Sequence, residues 1–371
     1  MAWNKKNQKT VMFSGGGTGG SVTPLLAVAD DLRRSRPDLK LVFVGTKRGP
    51  EKEMVAAFNR ESESLEYIPL TSGKWRRYFS LYNFLDIFKV IIAWFVSLRV
   101  LISKRPSVII SAGAFVSVPL AWAAALWRIP VLIHQQDVRP GLANKLMAPG
   151  ARVITVTFEK SLSDYGSRAV LIGNPIREAA INGSQSAPEE IRRRYLLNSD
   201  KPLVLVAGGG TGSTAINKLI LKIIPSLSDF CEVLHLTGPG KLEEGIMNNA
   251  DYQAREFVAP DELLNLIAAS DLVVSRAGLA TLTELSFLSK PAILIPIPDS
   301  HQEDNAAVFS AAQAAIVFEQ RELTPDRLAA EIKRVLMDQA LRDKLSRNIA
   351  KVIRRGAAGK MAGLIEEILG K

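Results

Sequence analysis

Residues 11–32 read VMFSGGGTGGSVTPLLAVADDL, and residues 203–220 read LVLVAGGGTGSTAINKLI. Each stretch runs from a short apolar segment through a turn of consecutive glycines into a segment whose apolar residues have helical spacing. A buried strand, a glycine-rich turn and a helix in this order are typical of the first unit of a doubly wound parallel sheet. Because both halves of the chain contain this arrangement, the sequence predicts an α/β protein with two Rossmann-like lobes whose parallel sheets face a central cleft.

Short apolar runs along the whole chain support this fold, because they alternate with helical patterns as the strands of parallel sheets do. They occupy residues 11–13, 41–44, 108–110, 131–133 and 153–156 in the first half, and 203–207, 232–236, 272–275 and 292–295 in the second. A polar stretch at residues 182–190 separates the two series. We therefore predict a first lobe of residues 1–175 and a second lobe of residues 176–355. The C-terminal helix, residues 356–371, either closes the second lobe or returns to the first.

The composition indicates a folded protein with an anionic partner. Among 371 residues, 47 Lys and Arg exceed 37 Asp and Glu, and 47% of the residues are hydrophobic. The single cysteine, Cys231, excludes an intramolecular disulfide and a multi-cysteine metal site, and it suits a reducing compartment. Nucleic acid is a poor candidate for the anionic partner, because the basic residues are mixed with aliphatic ones rather than spread over a polar face.

The basic residues concentrate in segment 71–105, which is also the most apolar and aromatic part of the chain. Asp86, Lys89 and Arg99 interrupt it before it reaches the roughly 18 uncharged residues that a transmembrane helix requires. The N-terminus lacks the long apolar region of a secretory signal. The pattern predicts peripheral contact with an anionic membrane from the cytoplasmic side, unless these apolar side chains simply fill the core of the lobe. The predicted membrane patch consists of Lys74, Trp75, Arg76, Arg77, Phe79 and Trp94.

The first glycine turn satisfies the spacing G-x-G-x-x-G at Gly15, Gly17 and Gly20. The backbone N–H groups of such a turn, together with the dipole of the following helix, can bind an anion. A nicotinamide-dependent dehydrogenase is disfavoured, because the second predicted strand ends in Val-Gly-Thr and lacks the acidic residue that holds the ribose. A tight turn without a ligand is the other explanation for the glycines. The second turn, residues 208–213, allows the same two interpretations.

Segment 275–298, SRAGLATLTELSFLSKPAILIPIP, is the most informative part of the sequence. A predicted strand ends here, and Leu279, Ala280 and Thr281 begin a helix whose free N–H groups can hold a diphosphate. Glu284 lies one turn further along that helix. Its carboxylate can accept hydrogen bonds from both hydroxyls of a ribose attached to the diphosphate. A solvated helix glutamate is the alternative interpretation of Glu284.

Six motifs follow one another along almost the whole chain. They are GGGTGGSVTPLLAVA from residue 15, HQQDVRPGLANK from residue 134, GNPIR from residue 173, GGGTGS from residue 208, SRAGLATLTE from residue 275 and HQEDNA from residue 301. Together they resemble the MurG family, the glycosyltransferases that move N-acetylglucosamine (GlcNAc) from UDP-GlcNAc to undecaprenyl-pyrophosphoryl-muramyl-pentapeptide, lipid I, to make lipid II for peptidoglycan. The resemblance implies a GT-B fold, inversion at the anomeric carbon and no cofactor or protein-held metal.

The resemblance also implies roles for individual residues in binding the donor. Arg177 is expected near the uracil, Glu284 on the ribose and the helix start at residues 279–281 on the diphosphate. The residues expected beside the donor sugar are His301, Gln302 and Asn305. The glycine turns are expected to complete the donor site through Thr18, Gly19, Gly20, Gly210, Thr211 and Gly212.

Two departures from the family's usual pattern concern the catalytic base. Ser21 replaces the histidine that usually ends the first glycine turn, and a serine hydroxyl is a poor general base near pH 7. Residues 134–137 read His-Gln-Gln-Asp where the family typically has His-Glu-Gln-Asn. We hypothesise that Asp137, together with His134, supplies the base that Ser21 cannot. The alternatives are a turn-capping role for Asp137 and a core role for His134.

Three other functions are compatible with the sequence. A related lipid glycosyltransferase with a diacylglycerol acceptor would use the same donor lobe and membrane patch. A catalytically inert UDP-sugar or lipid-binding homologue would explain the absence of histidine at position 21. A UDP-GlcNAc 2-epimerase of similar architecture is disfavoured, because a soluble epimerase has no use for a basic and apolar surface.

Overall fold

The computed structural model describes residues 8–61, 65–73, 81–178, 188–195, 197, 200–243 and 248–370. The chain forms two compact units. The first consists of residues 1–177 together with residues 354–371, and the second consists of residues 178–353. Each unit has its own parallel sheet and its own hydrophobic core.

Both sheets have the strand order of a doubly wound fold. The seven-stranded sheet runs β3-β2-β1-β4-β5-β6-β7 and the six-stranded sheet runs β10-β9-β8-β11-β12-β13, with every pairing parallel. The strands of the first unit are β1 Thr10–Ser14, β2 Lys40–Gly45, β3 Leu65–Pro69, β4 Val108–Ser111, β5 Val131–Gln135, β6 Val153–Val156 and β7 Ala169–Leu171. Those of the second unit are β8 Leu203–Ala207, β9 Glu232–Leu236, β10 Tyr252–Arg255, β11 Leu272–Ser275, β12 Ala292–Leu294 and β13 Ile316–Val317.

Helices cover both faces of each sheet, and several begin at a residue that caps their first turn. The Oγ atoms of Ser213, Ser300 and Thr324 accept hydrogen bonds from backbone N–H groups two or three residues later. The described helices are α1 Thr23–Ser35, α2 Glu51–Glu61, α3 Leu81–Lys104, α4 Ser117–Leu126, α5 Leu142–Met147, α6 Pro188–Arg194, α7 Thr214–Leu227, α8 Pro260–Ala269, α9 Leu279–Leu288, α10 His301–Ala311, α11 Pro325–Met337, α12 Gln339–Ile349 and α13 Ala357–Gly370.

The strand order places the two glycine turns at equivalent positions. In each sheet the order reverses beside the first strand of the unit, between β1 and β4 and between β8 and β11. Ligands of open parallel sheets bind in the crevice at the carboxyl ends of the strands where the order reverses. The first glycine turn follows β1 and the second follows β8, so each turn lies at such a crevice.

The C-terminal helix α13 returns to the first unit and packs on α1. Its buried residues Met361, Ile365 and Leu369 join the same core cluster as Val11 and Phe13 of β1. Of the two arrangements that the sequence left open for this helix, the chain therefore adopts the return to the first unit.

Helix α3 buries one side and exposes the other. Ala93, Ser97 and Leu101 are buried, and the helix packs on α4. The large apolar residues that it exposes include Phe88, Ile91, Ile92, Phe95 and Ile102, with 48–61% of their surface accessible. No helix in the part of the chain that the structure describes is long and apolar enough to cross a membrane.

Candidate functional site

In the second unit, the first turn of α9 offers unpaired backbone donors. Three residues separate the helix from β11, and the last of them, the N-cap Gly278, has no side chain to cap it. The first N–H groups of a helix have no acceptor within the helix. No acidic residue lies in this first turn. Leu279, Ala280 and Thr281 therefore present N–H groups and the positive end of the helix dipole at the sheet's crevice, as an anion site requires.

Glu284 has one buried carboxylate oxygen that lacks a partner. Within the described residues, no hydrogen-bond donor contacts Oε2. Burial raises the pKa of Glu284 to about 7, because the charged carboxylate is poorly solvated there. An unsatisfied buried acceptor is costly, and hydroxyl groups of a ligand would satisfy it. This geometry disfavours the interpretation of Glu284 as a solvated helix residue.

Helix α10 brings two of the predicted sugar-binding residues to the start of α9. Asn305 is fully buried and donates from Nδ2 to the backbone oxygen of Ala277, at 3.3 Å. Gln302 accepts at Oε1 from the N–H of Ile297, at 3.1 Å. Its Nε2 lies so near Gly278 that a Cβ added to that glycine would contact it at 3.9 Å. His301, half-buried, is the first residue of α10.

The second glycine turn is shaped by a neighbouring turn that follows β9. Gly212 and Gly238 have φ angles of +69° and +95°, and a Cβ on either would overlap the backbone of the other turn. The tight-turn explanation therefore accounts for Gly212. Gly210 and Thr211, by contrast, are exposed at the top of the turn, where they can contact a ligand.

In the first unit, the glycine turn is closed by two side chains rather than left open. The N–H of Gly16 donates to Ser21 Oγ, at 3.1 Å, and the N–H of Gly17 donates to Glu51 Oε2, at 3.2 Å. Ser21 Oγ is also within hydrogen-bond distance of the backbone oxygens of Gly16 and Thr18. Ser21 thus maintains the shape of the turn. Thr18 is exposed, and the residues that follow it are half-buried.

Glu51 is a functional candidate that the sequence interpretation missed. It is fully buried at the start of α2 and accepts hydrogen bonds from Gly17 and from the backbone N–H and hydroxyl of Thr46. It therefore connects the glycine turn to the end of β2. A carboxylate at this position disfavours a diphosphate on the N–H groups of Gly16 and Gly17, because those donors are occupied and the carboxylate is negative.

The segment after β5 is held by an amide side chain. Gln135 donates from Nε2 to the backbone oxygens of Asp137 and Arg139, at 2.7 and 3.1 Å. Gln136 donates to the backbone oxygen of Ala112, which follows β4. These bonds fix the turn that carries Asp137, whose side chain is half-buried at the carboxyl edge of the sheet.

His134 lies beneath this turn with no exposed surface. Its Nδ1 is 3.0 Å from Thr155 Oγ1, and its Nε2 is 3.0 Å from Asn174 Oδ1. A neutral ring satisfies both contacts when Nε2–H donates to Asn174 and Nδ1 accepts from the Thr155 hydroxyl, whose proton then points to the ring rather than to the backbone oxygen of Ile133. Burial lowers the pKa of His134 to about 4. This environment favours the core interpretation of His134 over a direct role as base.

Arg177, which is predicted to lie near the uracil, is the last residue of segment 1–177 of the first unit. Its Nε lies 3.9 Å from Asp30 Oδ2, and its guanidinium carbon is 5.8 Å from the centre of the Phe58 ring. Asp30 is buried and also pairs with Arg33 and Arg34 of α1. The expected contact of Arg177 with uracil stays a prediction.

Five residues of the predicted membrane patch, Lys74, Trp75, Arg76, Arg77 and Phe79, lie outside the described residues. The sixth, Trp94, is half-buried and packs edge-on against Phe95, with ring centres 5.1 Å apart.

The described part of the chain contains no cluster of three His, Cys, Asp or Glu residues suited to hold a metal ion.

Comparisons with known proteins agree with this architecture. Residues 11–156 match the glycosyltransferase family 28 N-terminal domain and residues 203–358 match the C-terminal domain of that family. The chain is 35% identical, over 97% of its length and 99% of the relative's, to the UDP-N-acetylglucosamine–N-acetylmuramyl-(pentapeptide) pyrophosphoryl-undecaprenol N-acetylglucosamine transferase of Clostridium kluyveri. A protein of the same name from Clostridium botulinum is 36% identical over 87% of the chain and 90% of its own length.

Among solved structures, MurG of Acinetobacter baumannii is similar with a TM-score of 0.73 and 24% identity, covering 97% of this chain and 99% of that one. The glycosyltransferase of kitacinnamycin has a TM-score of 0.74 at 18% identity, over 98% and 100% of the two chains. These likenesses, with two parallel sheets, confirm the predicted GT-B fold class.

Proposed function

The chain belongs to the MurG family of N-acetylglucosamine transferases, and from this premise we propose that it transfers GlcNAc from UDP-GlcNAc to lipid I and so makes lipid II. The observation that carries the proposal is the unsatisfied carboxylate oxygen of Glu284, one turn beyond the uncapped start of α9. A ribose followed by a diphosphate matches this order of acceptor and donors. We assign Gln302 and Asn305 of α10, with His301, to the sugar.

In the proposed reaction, a hydroxyl oxygen of the acceptor's muramyl sugar forms a bond to the anomeric carbon of GlcNAc. The bond from that carbon to the diphosphate oxygen breaks, and UDP leaves with the electron pair. The start of α9 stabilises the negative charge that develops on UDP. The hydroxyl proton passes to a base. We assign the half-exposed rim of the first glycine turn, Thr18 to Gly20, to the reacting sugars.

The function is tested by transfer of labelled sugar from UDP-GlcNAc to a short-chain lipid I analogue, with EDTA present. Acceptor-dependent formation of lipid II is the expected result. A parallel reaction with diacylglycerol tests the related lipid glycosyltransferase. Product with diacylglycerol alone, or binding of UDP-GlcNAc without transfer to either acceptor, would contradict the proposed function.

We propose Asp137 as the base, because Gln135 fixes its turn at the carboxyl edge of the first sheet. Ser21 maintains the shape of the glycine turn, and the buried ring of His134 stabilises the end of β5 through its contacts with Thr155 and Asn174. Asp137→Asn is expected to lower kcat by about 100-fold or more, the usual contribution of a general base, without changing the Kd for UDP-GlcNAc. Asp164→Asn, an exposed acid of the same unit, is the matched control. Near-normal turnover of Asp137→Asn would refute the assignment.

We further propose that the first unit binds peripherally to the cytoplasmic face of the membrane. The relatives' name specifies a pyrophosphoryl-undecaprenol acceptor, and such a lipid resides in a bilayer. Helix α3 exposes Ile92 and Phe95, and the exposed Lys89 and Arg99 lie on the same helix. Apolar side chains that enter the interface and basic residues that attract anionic headgroups act together in such binding.

Flotation with phosphatidylglycerol-containing vesicles tests the membrane proposal. Ile92→Ser combined with Phe95→Ser is expected to lower the partition coefficient at least tenfold, because burial of each apolar side chain is worth about 1.5–3 kcal/mol. Replacing Lys74, Arg76 and Arg77 by Gln is expected to lower the partition coefficient several-fold for each charge removed, because each basic residue near an anionic surface contributes about 1 kcal/mol. Met337→Ser removes an exposed apolar side chain of the second unit and is the control. Unchanged flotation of both variants would refute the proposal.

A further inference from the structure

Arg276 is a buried arginine at the crevice of the second sheet. It follows β11 directly and has only 8% of its surface exposed. Its Nη1 donates to the backbone oxygens of Ile295 and Pro296, at 2.8 and 3.1 Å. Its Nη2 donates to Ser213 Oγ at 2.7 Å and to Gln320 Oε1 at 2.6 Å. One guanidinium therefore joins the second glycine turn, the segment after β12 and the segment after β13.

All four acceptors are neutral. In the described part of the chain, no carboxylate oxygen lies within ion-pair distance of Arg276. A guanidinium keeps its charge in proteins, and removing an unpaired charge from water is expensive. The fold thus maintains an uncompensated positive charge where the strand order reverses between β8 and β11. The same charge is two residues before Gly278, the N-cap of α9.

The location indicates an anionic ligand as the missing counter-charge. Opposite unit charges attract over several ångströms when water is excluded, since the effective dielectric constant is then about 20 rather than about 80. Direct contact with the ligand is not required, and both Nη atoms already donate to the four protein acceptors. The uncapped N–H groups of α9 are the direct donors, and Arg276 adds to the potential that they create.

We propose that Arg276 is a positioning residue for the diphosphate of the donor, fixing the loops around it and attracting it through its unpaired charge. The inference rests on the proposed function, because it takes the donor to be a uridine diphosphate sugar. It extends the proposed function, because it assigns to Arg276 a part of the affinity for the diphosphate without direct contact between the two. A purely structural Arg276 would brace the loops without favouring an anion.

Comparing UDP with uridine separates the two roles, because the nucleosides are identical and only UDP carries the diphosphate. The Kd of each is measured for the full-length wild type, Arg276→Gln and Arg276→Lys. We expect Arg276→Gln to weaken UDP binding by on the order of tenfold to 100-fold, the size of a charge–charge interaction over several ångströms, and uridine binding by less than threefold. Arg276→Lys keeps the charge but loses the four-acceptor geometry, so it should retain most of the preference for UDP.

Arg347→Gln removes a positive charge from an exposed position on α12 and should leave both affinities unchanged. Equal loss of UDP and uridine binding in Arg276→Gln would overturn the proposal in favour of bracing alone. If Arg276→Gln does not fold, Arg276→Lys decides: a retained preference for UDP supports the proposal, and a lost preference overturns it. A wild-type protein that binds neither molecule would instead refute the proposed donor site.

Discussion

Glu284→Gln is expected to weaken UDP-GlcNAc binding by at least about 100-fold, since two hydrogen bonds to a charged acceptor, each worth about 1.5–3 kcal/mol, sum to about 3 kcal/mol or more. The buried Oε2 of Glu284 has no partner among the described residues, so the ligand's hydroxyls meet an acceptor that does not first have to break a protein hydrogen bond. Glutamine keeps the size of the side chain but presents an N–H₂ group and loses the charge. Isothermal titration calorimetry with the full-length protein measures the change.

The pH dependence of binding provides a second readout for the same variant. Burial raises the pKa of Glu284 to about 7 in the free protein. The ribose hydroxyls donate to the ionised form, so binding favours loss of the proton. Affinity should therefore rise as pH increases from 6 to 8 and level off above the pKa, whereas UDP-GlcNAc itself has no group that titrates there. In Glu284→Gln this slope should be absent.

Glu322→Gln is the matched control, because it removes an exposed carboxylate from the same unit. A flat pH profile for the wild type would contradict the raised pKa of Glu284 but not its contact with the ribose. A loss of affinity without loss of the slope would indicate that another group titrates. Unchanged affinity of Glu284→Gln would remove Glu284 from the ribose site.

The central strands of both sheets could be predicted from the sequence, because they are covered on both faces and consist of continuous apolar runs. The apolar runs at residues 131–133 and 203–207, for example, predict strands, and these residues lie in β5 and β8. The strands that the sequence interpretation missed, β3, β7, β10 and β13, are outer or edge strands. The β3 sequence, Leu-Glu-Tyr-Ile-Pro, has mixed polarity and only its first residue is buried. Edge strands of this kind lack the continuous apolar run from which a buried strand is predicted.

From local patterns alone, the candidate site was predictable only where its residues follow one another in the chain, whereas Gln302 and Asn305 of α10 were predicted from the family resemblance. The start of α9 and Glu284 belong to one motif, and the helical spacing of that motif fixes their relation. Arg276 and Glu51 acquire their roles through partners distant in sequence, such as Gln320 and Thr46, so no local pattern indicated that they are buried. The environment of His134 depends likewise on Thr155 and Asn174, which only the folded sheet brings to its ring.

Glu51→Gln is expected to lower kcat for lipid II formation by about 100-fold, the effect of displacing reacting groups by about 1 Å. The carboxylate of Glu51 accepts from Gly17 and from two donors of Thr46, and the amide of glutamine cannot accept at both of its terminal atoms. At least one buried donor then loses its partner, and the glycine turn moves relative to the end of β2.

The same variant should change the affinity for UDP by less than threefold, because the proposed nucleotide site lies in the second unit. Glu53→Gln, an exposed acid two residues along α2, is the control for the loss of charge. All five tryptophans, Trp3, Trp75, Trp94, Trp122 and Trp127, belong to the first unit, so urea unfolding followed by tryptophan fluorescence reports the stability of that unit. A folded Glu51→Gln protein with normal kcat would refute the role of Glu51. A parallel loss of UDP affinity would assign the first glycine turn to the nucleotide instead, because a turn that serves only the reacting sugars leaves UDP binding intact.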